Sequence, residues 1–328
     1  GVVDAYTMTE AVKDGITVNL VYDGRAAKVM LNQDKVRQIE EYYAQCELEG
    51  ANEHQIEESQ KAVAKMEVII GDPDRLRAVA EDFIKHYETR VAEGATVAGK
   101  AMFVCSNRNI AYDFYKIVKE LRPEWTEKKI CDDGVVLSEK DKKELKPMEK
   151  IKLVMTRNKD DEKDLFDMLG TKEDRKEFDR QFKNPKSNFK IAIVVDMWLT
   201  GFDVPELDTI YIDKPIQQHT LIQTISRVNR VCEGKDKGLI VDYIGIKKNM
   251  NTALKKYTNF ESEELEGVEQ SITIVKDQLE VIGQMFHNFN SSDFFNGSPT
   301  EQLACLNRAV EYVQLSEELE RRFMAAVK

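Results

Sequence analysis

The sequence predicts an α/β fold built on a mainly parallel sheet that helices cover on both faces. Between residues 100 and 245, short apolar runs alternate with charged, helix-prone segments. Continuous apolar runs indicate strands buried on both sides, and such strands are joined in parallel by helical crossovers. Residues 1–95 and 249–328 are largely helix-prone, so helical segments are expected to flank the sheet.

Five apolar runs are expected to form the sheet, and an alternating run near the beginning of the chain predicts one further short strand. The alternating run is TVNLVY at 17–22, and the apolar runs are AMFVC at 101–105, IKLVM at 151–155, IAIVV at 191–195, TIYI at 209–212 and LIV at 239–241. Ligands of open parallel sheets bind beyond the carboxyl ends of the strands. The residues that follow each run are therefore the first candidates for a functional site.

Helix signals precede the sheet region. Residues 34–66 are charged and helix-prone, and Asp72-Pro73-Asp74 begins another helix, since proline is tolerated in a first turn. The second helix carries an apolar stripe of Leu76, Val79, Ala80, Phe83 and Tyr87. We interpret residues 1–95 as a lead-in strand with helices, and residues 96–248 as the sheet domain.

Helix signals also follow the sheet region. Ser298 and Glu301 form a capping box with Pro299 at the first helical position. The helix that opens there carries Leu303, Leu306, Val310 and Val313, and an earlier apolar stripe consists of Ile272, Val275, Leu279, Ile282 and Phe286. Residues 249–328 are therefore predicted to be the start of a helical domain.

The composition is that of a globular protein. Hydrophobic residues make up 42% of the chain and charged residues 33%, and no apolar run approaches the roughly 18 residues that span a bilayer. Five cysteines without a C-x-x-C pair and four histidines without metal-ligand spacing favour a cytoplasmic protein with no bound metal. The sequence begins with Gly1 rather than Met, so we interpret it as a piece of a longer protein.

The net charge of −11 restricts how this chain can contact nucleic acid. Proteins that coat DNA non-specifically are usually basic. Any such contact is therefore expected from a few loop residues rather than from the field of the whole molecule.

Two segments look like nucleotide-binding motifs but lack the necessary context. Residues 94–101, GATVAGKA, nearly match a phosphate-binding loop, yet Ala101 cannot ligate Mg²⁺ and the loop precedes a strand instead of following one. Residues 161–164, DEKD, match the helicase pattern D-E-x-[DH], but their position in a charged run favours a solvated helix start. The chain is not expected to hold the phosphates of a nucleotide by itself.

The loop after the run IAIVV is a better candidate site. It reads DMWLTGFDVP at 196–205, where Gly201 allows a tight turn or a close backbone approach to a ligand. Asp203 is a carboxylate presented beyond the carboxyl end of a strand. An ordinary connecting loop with a solvated aspartate is the alternative interpretation.

A basic helix face follows this loop. Residues 219–231, HTLIQTISRVNRV, predict a helix with Leu221, Ile225 and Val228 on one face. Gln223, Arg227 and Arg230 cluster on the opposite face, and the planar guanidinium of arginine suits phosphate oxygens. A merely solvated basic face is the alternative.

Together, the two segments resemble motifs V and VI of superfamily 2 helicases and translocases. Motif VI reads Q-x-x-x-R-x-x-R, which Gln223, Arg227 and Arg230 match. The wording of both segments, with Ser226 where many helicases have glycine, resembles the R (motor and endonuclease) subunits of type I restriction enzymes specifically. Further similar stretches are KAMFVCSNR at 100–108, which resembles motif IV, Asp14-Gly15 and Tyr22 in the lead-in, and FHNF at 286–289 with Phe294-Phe295.

This resemblance implies a second RecA-like (P-loop NTPase-type) motor lobe, which closes over ATP and Mg²⁺ held mainly by a first lobe that this sequence does not contain. It implies that Arg230 is the arginine finger, and that Arg227 contacts the γ-phosphate or organises the cleft, with Gln223 supporting both. Gly201 and Asp203 would lie at the nucleotide, with Asp203 contacting the ribose or coupling the cleft to DNA. The isolated chain is expected to be inactive and to bind no cofactor.

The resemblance also implies partners. The candidates for gripping the backbone of double-stranded DNA follow the strands, and they are Ser106, Asn107, Arg108, Thr156 and Thr200. The methyltransferase and specificity subunits of a restriction complex would be further partners, together with the nuclease and first motor lobe of the parent chain. No membrane partner is expected.

Three other functions stay open at this point. The chain could belong to a different superfamily 2 motor, such as a DNA-repair or RNA helicase. It could be a non-enzymatic assembly module whose helices at 249–328 dock a methyltransferase. It could also be a small nucleotide-binding α/β domain unrelated to motors.

Overall fold

Six parallel strands form the core of the first of two structural units, which comprise residues 1–266 and 267–328. The computed structural model describes residues 8–26, 66–216, 218–246, 250, 266–267, 282–283, 285–286 and 289–326. The strands are β1 (Asn19–Gly24), β2 (Lys100–Cys105), β3 (Ile151–Val154), β4 (Ile191–Val194), β5 (Leu207–Asp213), β6 (Lys237–Asp242) and the two-residue β7 (Glu266–Gly267). Their order in the sheet is β3-β4-β2-β5-β6-β1-β7, and neighbours among the first six are parallel. This confirms the α/β, mainly parallel architecture that the sequence predicts for a RecA-like lobe.

The helices of the first unit mostly connect these strands. They are α1 (Met8–Lys13), α2 (Pro73–Ala92), α3 (Arg108–Leu121), α4 (Glu139–Glu144), α5 (Lys163–Leu169), α6 (Lys172–Lys183) and α7 (Gln218–Ile225), with a 3₁₀ turn at Pro123–Thr126. None of the helices in the described part of the chain is both long and apolar enough to cross a bilayer.

One face of the sheet packs against α2 and α3 through aromatic side chains. Phe83 of α2 meets Tyr211 of β5 edge to face at 4.7 Å between ring centroids, and Phe114 of α3 stacks on Phe103 of β2 at 4.0 Å. The apolar stripe predicted for α2 is buried throughout. Asp72 begins this helix as predicted, because its carboxylate accepts the Arg75 amide at 3.1 Å.

The opposite face packs against α6 and the segment around α7. Lys100 alternates with Phe103 along β2 and so points to this second face, where its ammonium lies 5.1 Å from the centre of the Phe182 ring of α6. Gly238 of β6 lies under Val228, and a Cβ at Gly238 would stand 2.2 Å from the Val228 carbonyl oxygen. Helices therefore cover both faces, as predicted.

The lead-in contributes β1 to the same sheet as residues 96–248. β1 begins at Asn19, two residues later than predicted, because Thr17 and Val18 pair elsewhere. Thr17 forms an antiparallel bridge with Arg230, and the Val18 amide donates to the Asn229 carbonyl at 2.8 Å. Residues on both sides of position 95 thus share one sheet, while the segment boundaries at 95 and 248 stay predictions.

A buried ion pair anchors α2 to the carboxyl end of β5. Arg75 and Asp213 are both fully buried, and an Arg75 Nη2 donates to the carboxylate at 2.5 Å. The same guanidinium donates to the carbonyl oxygens of Ile70 and Tyr243 at 3.1 and 3.2 Å. A buried charge of this kind is tolerated only when it is paired and hydrogen-bonded, so the pair fixes where α2 lies on the sheet.

The second unit contains α8 (Ser292–Asn296), α9 (Pro299–Val313) and α10 (Glu317–Ala326). The predicted capping box is present, because the Ser298 amide donates to the Glu301 carboxylate at 2.7 Å. Of the four apolar residues named for α9, Val313 is buried, whereas Leu303, Leu306 and Val310 are exposed. The helix predicted at 34–66 and the stripe from Ile272 to Leu279 lie outside the described residues, apart from Met66.

Candidate functional site

The predicted site residues lie at two edges of the parallel sheet. Residues 106–108 follow β2 and Thr156 follows β3, so they lie at the carboxyl edge, as predicted. Residues 195–206 connect β4 to β5 and are named the β4–β5 loop, while Arg227 and Arg230 follow α7. Arg230 pairs with Thr17 just before β1, and it contacts Asp203, so both lie toward the edge where the strands begin rather than beyond their carboxyl ends.

Arg230 and Asp203 form an exposed ion pair. Arg230 Nε lies 3.3 Å from Asp203 Oδ1, and the two side chains are 49% and 61% exposed. An ion pair of this exposure contributes about 0–1 kcal/mol, so another anion can displace the carboxylate at little cost. The arginine is therefore both held in place and available to a phosphate.

Arg227 is held by its surroundings in a different way. Its Nε donates to the Gln223 carbonyl at 3.0 Å, and its Nη atoms donate to the Phe202 carbonyl and, at 3.2 Å, to the Ser226 hydroxyl. Burial, and secondarily the charge of Arg230, lower the pKa of this guanidinium. Arg227 thus ties the turn after α7 to the β4–β5 loop.

The helix that carries these residues is shorter than predicted. α7 ends at Ile225 rather than at Val231, since the Arg227 and Val228 amides donate to carbonyls three residues back, at 3.2 and 3.1 Å. The chain then pairs with Thr17 and packs against Gly238, which leaves no room for another helical turn. The buried face is as predicted, because Leu221, Ile225 and Val228 are all buried, and Gln223 is half-buried.

The β4–β5 loop contains two left-handed residues. Gly201 has φ +69° and is exposed, so its backbone conformation rather than crowding favours glycine there. Trp198 adopts φ +71°, which is uncommon for a bulky residue. Its ring stacks on Phe202 at 4.0 Å with 3° between planes, and this stacking supports the strained backbone.

Two of the five residues predicted to contact DNA, Arg108 and Thr156, line a groove at the carboxyl ends of β3 and β4. This groove of about 380 Å³ is also lined by Asp196 and by apolar neighbours. Asn107 caps α3, accepting the Ile110 amide at 3.0 Å. Thr156 and Thr200 are exposed, and Ser106 is half-buried.

Arg108 is occupied by a carboxylate. Its Nη2 donates to both oxygens of Asp161 at 2.5 and 2.6 Å, and its Nη1 donates to the Thr156 carbonyl at 2.5 Å. The Asp161 side chain is 7% exposed. The helix start predicted for 161–164 is confirmed, since α5 begins at Lys163 and residues 162–164 are exposed. Only the Asp161 side chain departs from the prediction of a solvated segment, because Arg108 and the Asn158 amide hold it.

The loop at 94–101 does not have the arrangement of a phosphate cradle. Lys100, which would face the phosphates, is buried and donates to the Phe189 carbonyl at 2.5 Å. Among the described residues, no group of three or more histidine, cysteine, aspartate or glutamate side chains could hold a metal ion.

Sequence reasoning missed two lysines that contact the β4–β5 loop. Lys214 donates to the Val195 carbonyl at 3.0 Å and to Asp196 at 2.5 Å, whereas Lys235 donates to the carbonyls of Pro205 and Leu207. Neither lysine belongs to a motif, and lysines are frequent in this chain. The signal that could have found Lys235 is its position in a short loop between Arg230 and an apolar strand.

Comparison with known proteins gives consistent matches along most of the chain. The family described as "Type I restriction enzyme subunit R domain 3" matches residues 97–245. The family described as "Type I restriction enzyme HindI endonuclease subunit-like, C-terminal" matches residues 247–328. The two matched segments meet close to the end of the parallel sheet.

Individual relatives are similar over most of the chain. The type I restriction enzyme HindI endonuclease subunit of Haemophilus influenzae is 35% identical over 289 residues, which is 87% of this chain and 25% of that protein. A protein of Methanocaldococcus jannaschii, named as the MjaIXP endonuclease subunit, is 33% identical over 99% of this chain and 29% of its own length. The chain thus spans between a quarter and a third of the length of these relatives.

Proposed function

The chain belongs to the R subunit family of type I restriction enzymes, and from this premise we propose that it forms the second motor lobe of an ATP-dependent DNA translocase. The observation that carries the proposal is the exposed Arg230–Asp203 pair, which presents a guanidinium whose carboxylate partner is weakly held.

The residues of the site fit one side of a nucleotide cleft. ATP would supply the phosphoryl group whose transfer to water drives the motor. Arg230 would leave Asp203 and donate to the phosphate oxygens, stabilising the negative charge that develops on them. Asp203 would then be free to accept a ribose hydroxyl. Arg227 and Gln223 would organise this site, and the phosphates and Mg²⁺ would be held mainly by the first lobe of the parent subunit.

DNA contact is proposed for the groove at the carboxyl ends of β3 and β4, which Arg108 and Thr156 line. Ser106 after β2 and the exposed Thr200 of the β4–β5 loop would add further hydroxyl donors. Donors of this kind contact phosphate oxygens without reading sequence, as a translocase on double-stranded DNA requires. The recognised site would be set by the specificity and methyltransferase subunits of the restriction complex.

The test is the ATPase and translocation activity of the full-length subunit in its complex. We expect Arg230→Ala to lower ATP turnover by about 10³-fold or more, because an arginine finger contributes about that much. Arg230→Lys should restore little activity, since a point charge cannot replace a planar fork. The unfolding free energy should change by less than about 0.5 kcal/mol, as at other exposed positions.

Arg77→Ala is the matched control. Arg77 is 46% exposed and is paired with carboxylates on α2 and α3, and it is not among the residues proposed to contact nucleotide or DNA. This variant should keep normal activity. Near-normal ATPase and translocation in Arg230→Ala would contradict the assignment of Arg230 and with it the proposed function of this site.

A further inference from the structure

Three cationic side chains hold the β4–β5 loop by donating to backbone carbonyls. Lys214 donates to Val195 at 3.0 Å where the loop begins, and Arg227 donates to Phe202 in its middle. Lys235 donates to Pro205 at 2.9 Å and to Leu207 at 2.7 Å where the loop ends. Because these contacts are to the backbone, they hold the loop independently of the exposed side chains that the loop carries.

Lys235 connects the two halves of the candidate site. It lies five residues after Arg230, and the two carbonyls it contacts lie two and four residues after Asp203. This ammonium group therefore links the Arg230 segment to the Asp203 segment, in addition to the contact between Arg227 and the Phe202 carbonyl. The Leu207 amide also donates to the Val204 carbonyl at 3.0 Å, so the clamped turn includes the residue next to Asp203.

The lysine at this position is matched to the two carbonyls. Lys235 is buried, with 6% of its surface exposed, and burial lowers the pKa of its amine to about 8. The charged groups that face it are Asp208, Glu206 and Asp203, with Cys232 as a further titratable neighbour. An apolar side chain of similar volume would avoid the cost of desolvating the charge, but it would leave both carbonyls without this donor.

We propose that Lys235 is a positioning residue of the nucleotide site, which clamps the end of the β4–β5 loop and so holds Asp203 opposite Arg230. Its consequence for catalysis rests on the proposed function, whereas the clamp itself is a property of this chain. Lys235 touches neither nucleotide nor DNA in this proposal, and it acts only through the loop.

The clamp is tested by amide hydrogen exchange on this chain. Lys235→Met keeps the volume but removes the donors, and it should speed exchange of the amides within 203–207, where all residues but Pro205 have one, by about tenfold while β6 stays protected. Lys214→Met should loosen residues 195–197 instead. The exposed Lys237→Met is the matched control and should change neither segment. Unchanged exchange at 203–207 in Lys235→Met would overturn the clamp.

A second variant covers the case in which Lys235→Met does not fold. Lys235→Gln also removes the charge and shortens the side chain, so its NH₂ group is expected to reach only one of the two carbonyls, and its exchange at 203–207 should lie between wild type and Lys235→Met. Exchange as slow as in the wild type would count against a clamp that needs both carbonyl contacts.

The catalytic consequence is tested in the full-length subunit. Lys235→Met should lower kcat about tenfold and leave the KM for ATP within about threefold, because it disturbs an interaction made in the transition state. Combined with Arg230→Ala, it should cause no further loss, since both act through the same guanidinium. A double variant whose loss of kcat equals the product of the two single losses would overturn the positioning role. Normal activity of Arg230→Ala alone would instead refute the proposed function, and the exchange measurement would still decide whether Lys235 clamps the loop.

Discussion

At the scale of single residues, the two arginines of one motif have different surroundings. Arg227 uses its guanidinium on the Gln223 carbonyl, the Phe202 carbonyl and the Ser226 hydroxyl, whereas Arg230 has an exposed carboxylate partner. The pKa of Arg227 is lowered by burial. Arg227 is thus suited to hold the loop, and Arg230 is suited to meet an incoming anion.

A histidine of α2 is expected to make the free energy of unfolding depend on pH. His86 bonds Tyr211 Oη through Nδ1 at 2.9 Å, and burial, followed by the charge of Arg25, lowers its pKa to about 4. Between pH 6.5 and pH 4, the unfolded chain therefore binds more protons than the folded chain. Stability contributed by the neutral imidazole is complete above about pH 6.5 and is lost as the pH falls through this window.

Denaturation of the wild type and of His86→Gln at pH 7 and pH 4 measures this effect. The unfolding free energy of the wild type should fall by roughly 3 kcal/mol more than that of the variant, from the difference between the two pKa values. Carboxylates titrate in both proteins, and the comparison cancels their contribution. Equal losses in the two proteins would show that His86 is not responsible.

At the scale of elements, the same residue can serve a helix and a ligand. Asn107 stands at the carboxyl end of β2, where a DNA contact is predicted, but its side chain caps the first turn of α3. A cap satisfies a backbone donor that the helix leaves unpaired. The structural role therefore has to be separated from the proposed binding role by choosing variants that keep the cap.

Asn107→Ala should lower the unfolding free energy by about 1 kcal/mol, and Asn107→Ser should keep most of it, because serine also caps helices. Chemical denaturation measures both. The exposed Asn109→Ala, on the first turn of the same helix, is the control and should change stability little. If Asn107 contacts DNA in the full subunit, Asn107→Ser should weaken binding although it is stable; equal stability of Asn107→Ala and the wild type would contradict the cap.

The elements that the sequence predicts well are those whose signal is local. The stripe of α2, the apolar runs of the sheet and the capping box of α9 each depend on residues close together in the chain, and each is present. The end of α7 depends instead on Thr17, about two hundred residues earlier, which pairs with Arg230. Burial of Asp161 likewise depends on Arg108. A local sequence pattern carries no information about partners this far away in the chain, so the end of α7 and the burial of Asp161 could not be predicted.

At the scale of the whole molecule, two features limit what this chain can do alone. One is its negative net charge, and the other is that its sequence offers no phosphate-binding loop that follows a strand. The net charge is −11, so the proposed contact with DNA has to come from local groups, such as those at the carboxyl edge, rather than from the field of the whole chain. Lys100 of the loop at 94–101 is buried under α6 rather than presented to a phosphate.

This chain, purified alone, should therefore hydrolyse no ATP above background, with or without double-stranded DNA. The sequence offers no phosphate-binding loop that follows a strand, and the arginine finger contributes rate only where the phosphates are already held. A phosphate-release assay measures this, with the full-length subunit as the positive control. DNA-stimulated turnover that co-elutes with the chain would contradict the division of labour proposed here.

The position of β1 in the sheet has a consequence for how the protein is made. β1 leaves the ribosome before the other strands of this sheet, but it pairs with β6, and Asn19 faces Lys237 across that ladder. At translation rates of about 5–20 residues per second, the 217 residues between these two take roughly 10–40 s to synthesise. Throughout that interval the apolar side chains of β1 lack the neighbouring strand β6. Nascent chains that stall before β6 should therefore be the form of this protein most dependent on chaperones.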